Sequence, residues 1–159
     1  MTFEVGENSY VSVTDADEYH SLRGNSGWTE LSNTEKEQAL VKATSWLNSA
    51  LANKWKGRSA DYEQSLPWPR EGVYDEDDYY VDGNIIPQAI KDATSEVAKK
   101  IAVDGEDLFS GEERGVASES VGPISVSYTG GSRTTKQNYI LGMIRGLIKG
   151  QASVEIFRA

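Results

Sequence analysis

Few residues of this chain have side chains that could carry out chemistry. His20 is the single histidine, and its place in a predicted helix favours a packing or surface role over a catalytic one. The absence of cysteine excludes disulfides, thiolate metal sites and thiol nucleophiles. Gly130-Gly131-Ser132 lacks the rest of a phosphate-binding loop, and the sequence contains no dinucleotide fingerprint or serine elbow. We therefore predict no catalytic residue, no cofactor and no enzymatic activity.

An acidic run at residues 75–78, followed by Asp82 and Asn84, is the best candidate for a metal site. Calcium takes roughly six to eight oxygen ligands, and the spacing here matches no EF-hand because the final bidentate glutamate is missing. The pattern favours a solvated acidic loop, so we predict no metal.

Tryptophans can stack on the bases of single-stranded nucleic acid when a basic groove accompanies them. Of the four in this chain, only Trp55 has close basic neighbours, such as Lys54 and Lys56. The pattern therefore favours core or loop-anchoring roles. The four are Trp28, Trp46, Trp55 and Trp68.

Charge is distributed unevenly along the chain. Residues 131–159 contain five basic residues and one glutamate, a balance of +4, and because the whole chain carries −9, residues 1–130 carry −13. An acidic body repels phosphates, which disfavours general nucleic-acid binding. The basic end predicts a second surface with a different partner.

No membrane segment is expected. The first residues lack the basic start and apolar run of a signal peptide. The longest apolar stretch, residues 139–148, is interrupted by Arg145 and falls short of the roughly 20 residues needed to span a bilayer.

Three main helices are predicted. The first runs over 14–23 with Thr14 as N-cap, and the second over 32–52, opened by a capping box of Ser32 and Glu35. The third runs over 87–103, with Pro87 at its first position. The second and third helices carry apolar stripes at helical spacing.

The rest of the chain predicts a loop, short strands and a last helix. Residues 53–84 contain prolines and glycines without a period, which predicts a long contact loop. After an acidic connection at 104–120, alternation over 124–128 predicts a strand, followed by a helix over 135–149 and a strand over 154–158. The expected fold is mainly α: a small helical bundle with a long loop, short β-strands and a C-terminal arm.

The last predicted helix is unusual because Gly142, Gly146 and Gly150 share one face. Each interior glycine costs about 1 kcal/mol relative to alanine, so this helix is expected to need a partner. We predict two parts: a helical body at 1–129 and an assembly arm at 130–159. The predicted interface of the arm with its partner consists of Ile140, Ile144, Arg145, Leu147, Ile148, Lys149, Ile156, Phe157 and Arg158.

Several motifs carry a resemblance that covers most of the chain in order. The most specific are Trp68-Pro69-Arg70 and Ile86-Pro87-Gln88-Ala89. The chain resembles the small adaptor or connector proteins encoded among the head and neck genes of tailed phages, many of which are described as DnaT-like single-stranded-DNA-binding proteins. The other matching segments are 9–19, 32–43, 64–67 and 121–126, with Trp28, Trp55-Lys56-Gly57, Gly72-Val73 and Asp82-Gly83.

The resemblance implies a ring homo-oligomer, typically a dodecamer, between the portal protein and the next neck or tail protein. It also implies that residues 1–129 are the adaptor body and that the predicted interface contacts the portal or a neighbouring subunit. The channel would pass the double-stranded genome without specific binding. The protein would be made in the host cytoplasm and reside in the neck of the virion. Two departures from the family are a longer acidic run at 75–80 and the glycine-rich last helix.

The specific loop motif can also be interpreted physically. Pro67 and Pro69 favour an extended conformation that lets Trp68 anchor the loop on the helices. Arg70 is expected to pair with an acidic residue of the same subunit or its neighbour. The predicted loop anchor is Trp68, Pro69 and Arg70.

Two alternative functions remain open. Another neck protein, such as a head-completion or tail-terminator protein, would have a similar composition. A single-stranded-DNA-binding replication accessory protein would need an exposed basic and aromatic groove. The acidic body argues against the second alternative.

Overall fold

The computed structural model describes residues 2–109, 119–121, 124–126 and 139–150. The described part is mostly helical, which confirms the mainly α fold class. The helices are α1 (Val13–Leu22), α2 (Ser26–Thr29), α3 (Asn33–Ala50) and α4 (Gln88–Ala102); residues 139–143 are also helical, and Arg145–Leu147 form a 3₁₀ turn.

Two small antiparallel sheets accompany the helices. Strands β1 (Arg58–Ser59) and β2 (Arg70–Glu71) pair within the predicted long loop, which is therefore more ordered than expected. Strands β3 (Glu119–Val121) and β4 (Ile124–Val126) pair further along. The strand predicted from alternation at 124–128 is confirmed over 124–126, while the one predicted at 154–158 lies outside the described residues.

The helix starts follow their capping chemistry. The capping box predicted for α3 is confirmed: Ser32 Oγ accepts from Glu35 N at 3.3 Å, and Glu35 Oε2 accepts from Ser32 N at 2.8 Å. The first helix begins earlier than predicted, because Ser12 and not Thr14 is its N-cap and accepts from Asp15 N at 3.0 Å. Pro87, predicted at the first position of the third helix, is instead the N-cap of α4, because its ψ of 145° is extended.

The core lies mainly between α3 and α4, with α1 packed against both. The core includes four buried side chains of these two helices: Leu40 and Leu47 of α3, and Ile90 and Val97 of α4. Burying each such side chain contributes about 1.5–3 kcal/mol. The helical stripes found in the sequence are thus the faces that hold the bundle together.

Residues 139–150, here called the C-terminal segment, pack on this body, which differs from the predicted separate arm. Ile140, Ile144 and Leu147 are no more than 5% exposed and belong to the core. The chain then runs beside the loop: Lys56 N donates to Leu147 O at 3.0 Å. An apolar stripe is costly in water, and the body of the same chain supplies a surface that covers it. The remainder of the predicted arm, 130–138 and 151–159, lies outside the described residues.

No helix among the described residues is long and apolar enough to cross a membrane.

Candidate protein interaction surface

Residues 73–81 form a short antiparallel hairpin, here called the tyrosine hairpin. Val81 N donates to Val73 O at 2.9 Å, and Asp75 N donates to Tyr79 O at 3.0 Å. Tyr74 and Tyr80 form the bridge between the two sides. Val73 is fully buried and ties the base of the hairpin to the core.

The tip of the hairpin is closed by Asp75. Its Oδ1 accepts from the backbone N of both Asp77 and Tyr79 at 2.9 Å. Asp78 has a φ of +62°, a left-handed conformation that aspartate tolerates better than most residues. One carboxylate therefore holds the turn by hydrogen bonding, which is a structural use of the acidic run that the sequence did not predict.

Two basic residues fasten the hairpin to the C-terminal segment. Lys56 Nζ donates to Tyr74 O at 3.0 Å and to Gly146 O at 2.8 Å. Arg145 Nε lies 2.7 Å from Glu76 Oε1. That ion pair is largely exposed, so Lys56, which joins two backbone segments, is the more effective contact.

Gly146 lets the C-terminal segment approach the hairpin closely. A Cβ at this position would lie 3.3 Å from Cγ of Glu76, whereas nothing is within 4 Å of such an atom at Gly142 or Gly150. The helix predicted over 135–149 ends at residue 143 within the described residues, so Gly142, Gly146 and Gly150 do not share one helical face. Of the three, only Gly146 lies against the hairpin.

The hairpin displays three tyrosines to solvent. Tyr74, Tyr79 and Tyr80 are 53%, 72% and 57% exposed. The rings of Tyr74 and Tyr80 pack edge to face with centroids 5.6 Å apart. Tyrosine is enriched in protein interfaces because it brings a large rigid ring and a polar hydroxyl at little entropic cost. An ordered hairpin bearing three exposed tyrosines is therefore a surface suited to another protein.

Free carboxylates surround these tyrosines. Asp77 and Asp78 are exposed, and neither has a cationic side-chain partner within the described part of the chain. Their negative charge disfavours phosphate and favours a partner with lysine or arginine side chains.

The acidic residues do not form a metal site among the described residues. Asp82 Oδ1 accepts from Asn84 N and from its side-chain Nδ2, both at 2.9 Å.

The predicted loop anchor has a different chemistry from the one expected. Trp68 is fully buried and packs edge to face on Trp55 with centroids 5.6 Å apart. Arg70 pairs with no acidic residue in the described chain; its guanidinium donates to the carbonyl oxygens of Lys56, Gly57 and Pro67 at 2.7, 2.8 and 3.1 Å. These carbonyls are close because β1 and β2 fold the loop back on itself.

Gly57 makes that close return possible. A Cβ there would lie 2.1 Å from the carbonyl oxygen of Glu71, and its φ is +65°. Only glycine fits such a position, which gives a physical reason for the Trp55-Lys56-Gly57 motif.

His20 is buried at the contact of α1 with α4. Its Nε2 lies 3.1 Å from Ser95 O, and its Nδ1 lies 3.0 Å from Asn25 Nδ2. The ring therefore donates through Nε2 and accepts at Nδ1, which is the neutral form. Burial lowers the pKa of His20 below its ordinary 6.5. These contacts agree with the predicted packing role.

Comparison with family models matches residues 2–159 to the family described as "Putative DnaT-like ssDNA binding protein". The chain belongs to this family. No curated protein and no solved structure matches the chain. The family's description names single-stranded DNA.

The structure divides the predicted interface residues into three groups. Ile140, Ile144 and Leu147 are buried in the core, where the body of the same chain covers them. Ile148 is half-buried beside Trp55, while Arg145 and Lys149 are exposed. Ile156, Phe157 and Arg158 lie outside the described residues.

Sequence reasoning missed the tyrosine hairpin as a surface. It treated residues 75–78 only as charges, although tyrosines flank them at 74, 79 and 80. Exposed aromatics next to a charge run in a predicted contact loop were the available signal.

Proposed function

We propose that this protein is a structural head-tail adaptor of a tailed phage. It assembles as a ring, typically a dodecamer, in the virion neck between the portal protein and the next neck or tail protein. The tyrosine hairpin is the observation that carries this proposal, since an ordered surface of three exposed tyrosines is suited to protein contact. Exposed Arg145 and Lys149 remain candidates for contacts with the portal or a neighbouring subunit.

The charge of the protein suits a conduit. A net charge of −9, with −13 on residues 1–130, repels the phosphates of double-stranded DNA passing through a channel. The genome could then move past without being held. We further propose that the protein is not an enzyme; its one histidine is held in the core by Ser95 and Asn25.

Single-stranded-DNA binding is the second candidate, and the family description favours it. Such binding combines stacked aromatics with a cationic groove. In this chain Trp55 and Trp68 are buried, and the exposed tyrosines of the hairpin stand among carboxylates. These features favour a protein partner. Another neck protein, a head-completion or tail-terminator protein, remains the nearest structural alternative.

Immunogold labelling of virions from the phage that encodes the chain tests the proposal. The adaptor role predicts gold label at the junction of head and tail, in particles that retain the portal. Label absent from virions, with the protein present only in infected cells, would support the replication role instead. Label at the far end of the neck would favour a tail terminator.

A further inference from the structure

A groove of about 530 Å³ lies between the end of α3, the loop after it and the C-terminal segment. Trp55, Leu66 and Pro67 supply its apolar lining, and Arg70 and Lys149 supply positive charge. Pockets of roughly 300–1,000 Å³ hold groups the size of a small molecule, so one aromatic side chain fits with space for its neighbours.

The two cations of the groove have no carboxylate partner in the described part of the chain. Arg70 is held by three carbonyl oxygens, and its half-buried charge is not neutralised by them. Lys149 is exposed, and its Nζ lies 3.5 Å from Asn53 O. Two unpaired cations beside an apolar lining suit an occupant that carries a ring next to carboxylates.

The tip of the tyrosine hairpin has this composition. Tyr79 projects from it at 72% exposure, between the free carboxylates of Asp77 and Asp78 and the second exposed ring of Tyr80. The hairpin does not line the groove of its own chain. The tyrosine hairpin of a second copy of the chain therefore has the composition that suits the groove.

We propose that the tyrosine hairpin of one copy docks in the Trp55–Lys149 groove of the next copy. Tyr79 packs against the apolar lining, and the carboxylate of Asp77 or Asp78 pairs with Lys149 or Arg70. The contact joins two different surfaces, and such heterologous contacts generate rings when the rotation closes. The inference rests on the proposed ring and names the surfaces that build it.

Reciprocal charge reversal tests the contact in the full chain. Asp77→Lys changes the hairpin and Lys149→Glu changes the groove; both side chains are exposed. Glu18→Lys and Lys42→Glu are matched controls with the same charge changes at exposed helix positions away from both surfaces. Self-association of each protein, and of an equimolar mixture of the two test variants, is measured by sedimentation velocity.

We expect each test variant alone to associate at least about tenfold more weakly than the wild type, because like charges then face each other. The mixture should regain association in hetero-pairs, and the controls should behave as the wild type. Association unchanged in both variants would overturn this contact while leaving the ring in place. Loss of association in the two test variants without recovery in their mixture would also overturn the proposed contact. A wild-type chain that stays monomeric would remove the proposed ring and this contact with it.

Discussion

Three buried tryptophans show how the same residue type takes different roles. Trp28 Nε1 donates to Asp17 Oδ1 at 2.7 Å, and Asp17 also pairs with Lys36 at 3.0 Å. The Nε1 atoms of Trp55 and Trp68 are buried and have no hydrogen-bond partner in the described structure. The first ring carries a polar network, whereas the other two contribute packing.

Phenylalanine substitutions should separate these roles. Trp28→Phe loses a hydrogen bond to a charged group, which costs about 1.5–3 kcal/mol in addition to lost packing. Trp68→Phe loses packing but removes an unpaired buried donor, so its cost should be smaller. Urea unfolding of the wild type and the two variants measures the loss in free energy of unfolding for each substitution. Equal losses, or a larger loss for Trp68→Phe, would contradict the assigned roles.

His20 should make stability depend on pH in a defined window. Its folded pKa lies below its ordinary 6.5 because burial disfavours the imidazolium. The unfolded chain therefore takes up the proton first as pH falls, and binds more protons than the folded chain. The stabilisation is complete above pH 6.5 and decreases as pH falls from 6.5 towards the folded pKa.

We expect His20→Gln to remove this decrease, measured as the free energy of unfolding in urea between about pH 7.5 and pH 5.5. The variant should be less stable than the wild type at the upper pH and closer to it at the lower one. Hydrogen bonds from Ser32 lower the pKa of Glu35, so that this carboxylate stays ionised across the window. Parallel pH curves for the two proteins would show that His20 does not carry the effect.

At the scale of elements, the C-terminal segment behaves as part of the body. Its backbone pairs with the loop on both sides of Trp55, since Lys149 N donates to Lys54 O at 2.7 Å and Lys56 N donates to Leu147 O at 3.0 Å. Removing the segment should therefore uncover the core. This differs from the predicted division into a body at 1–129 and a separate assembly arm at 130–159.

A single substitution tests this placement. Ile144→Ala should destabilise the protein by about 2–5 kcal/mol, since Ile144 is only 1% exposed. The matched control is Ile85→Ala, where the side chain is 51% exposed and the expected change is within about 0.5 kcal/mol. Thermal and urea unfolding measure both. If the two variants are equally stable, the C-terminal segment belongs to an assembly arm and not to the core.

Local signals predicted the helices well and the tertiary placement of the last segment poorly. The capping box of Ser32 and Glu35 and the stripes of α3 and α4 are contained within one helix each, so the sequence displays them. The burial of Ile144 depends on contacts with residues far away in the chain. Periodicity identifies an apolar face but not the surface that covers it.

The candidate surface was predictable only in part, for the same reason. The position of the contact loop and its charge are visible in the sequence. The exposure of Tyr79 depends on Asp75 closing the turn and on Lys56 fixing the hairpin to Gly146. The three carbonyl oxygens that accept from Arg70 are likewise brought together by the pairing of β1 with β2. Strands of two residues are too short to be recognised in the sequence.

For the whole molecule, charge is the property that separates the two candidate functions. An adaptor ring needs a channel that does not hold DNA, and a body carrying −13 meets that condition because it repels phosphates. A single-strand binder needs phosphate contacts, whose affinity falls steeply with salt. In a solution that contains the protein and single-stranded DNA, the two functions therefore predict different complexes.

Native mass spectrometry of the 159-residue chain mixed with an equimolar thymidine oligonucleotide, at near-physiological ionic strength, tests the central claim most directly. The proposed function predicts closed homo-oligomers, at masses that are whole multiples of the 17.5 kDa chain, without bound DNA. Adding the cognate portal protein should give a complex of both rings. A monomer or dimer that carries the oligonucleotide and forms no ring would contradict the account.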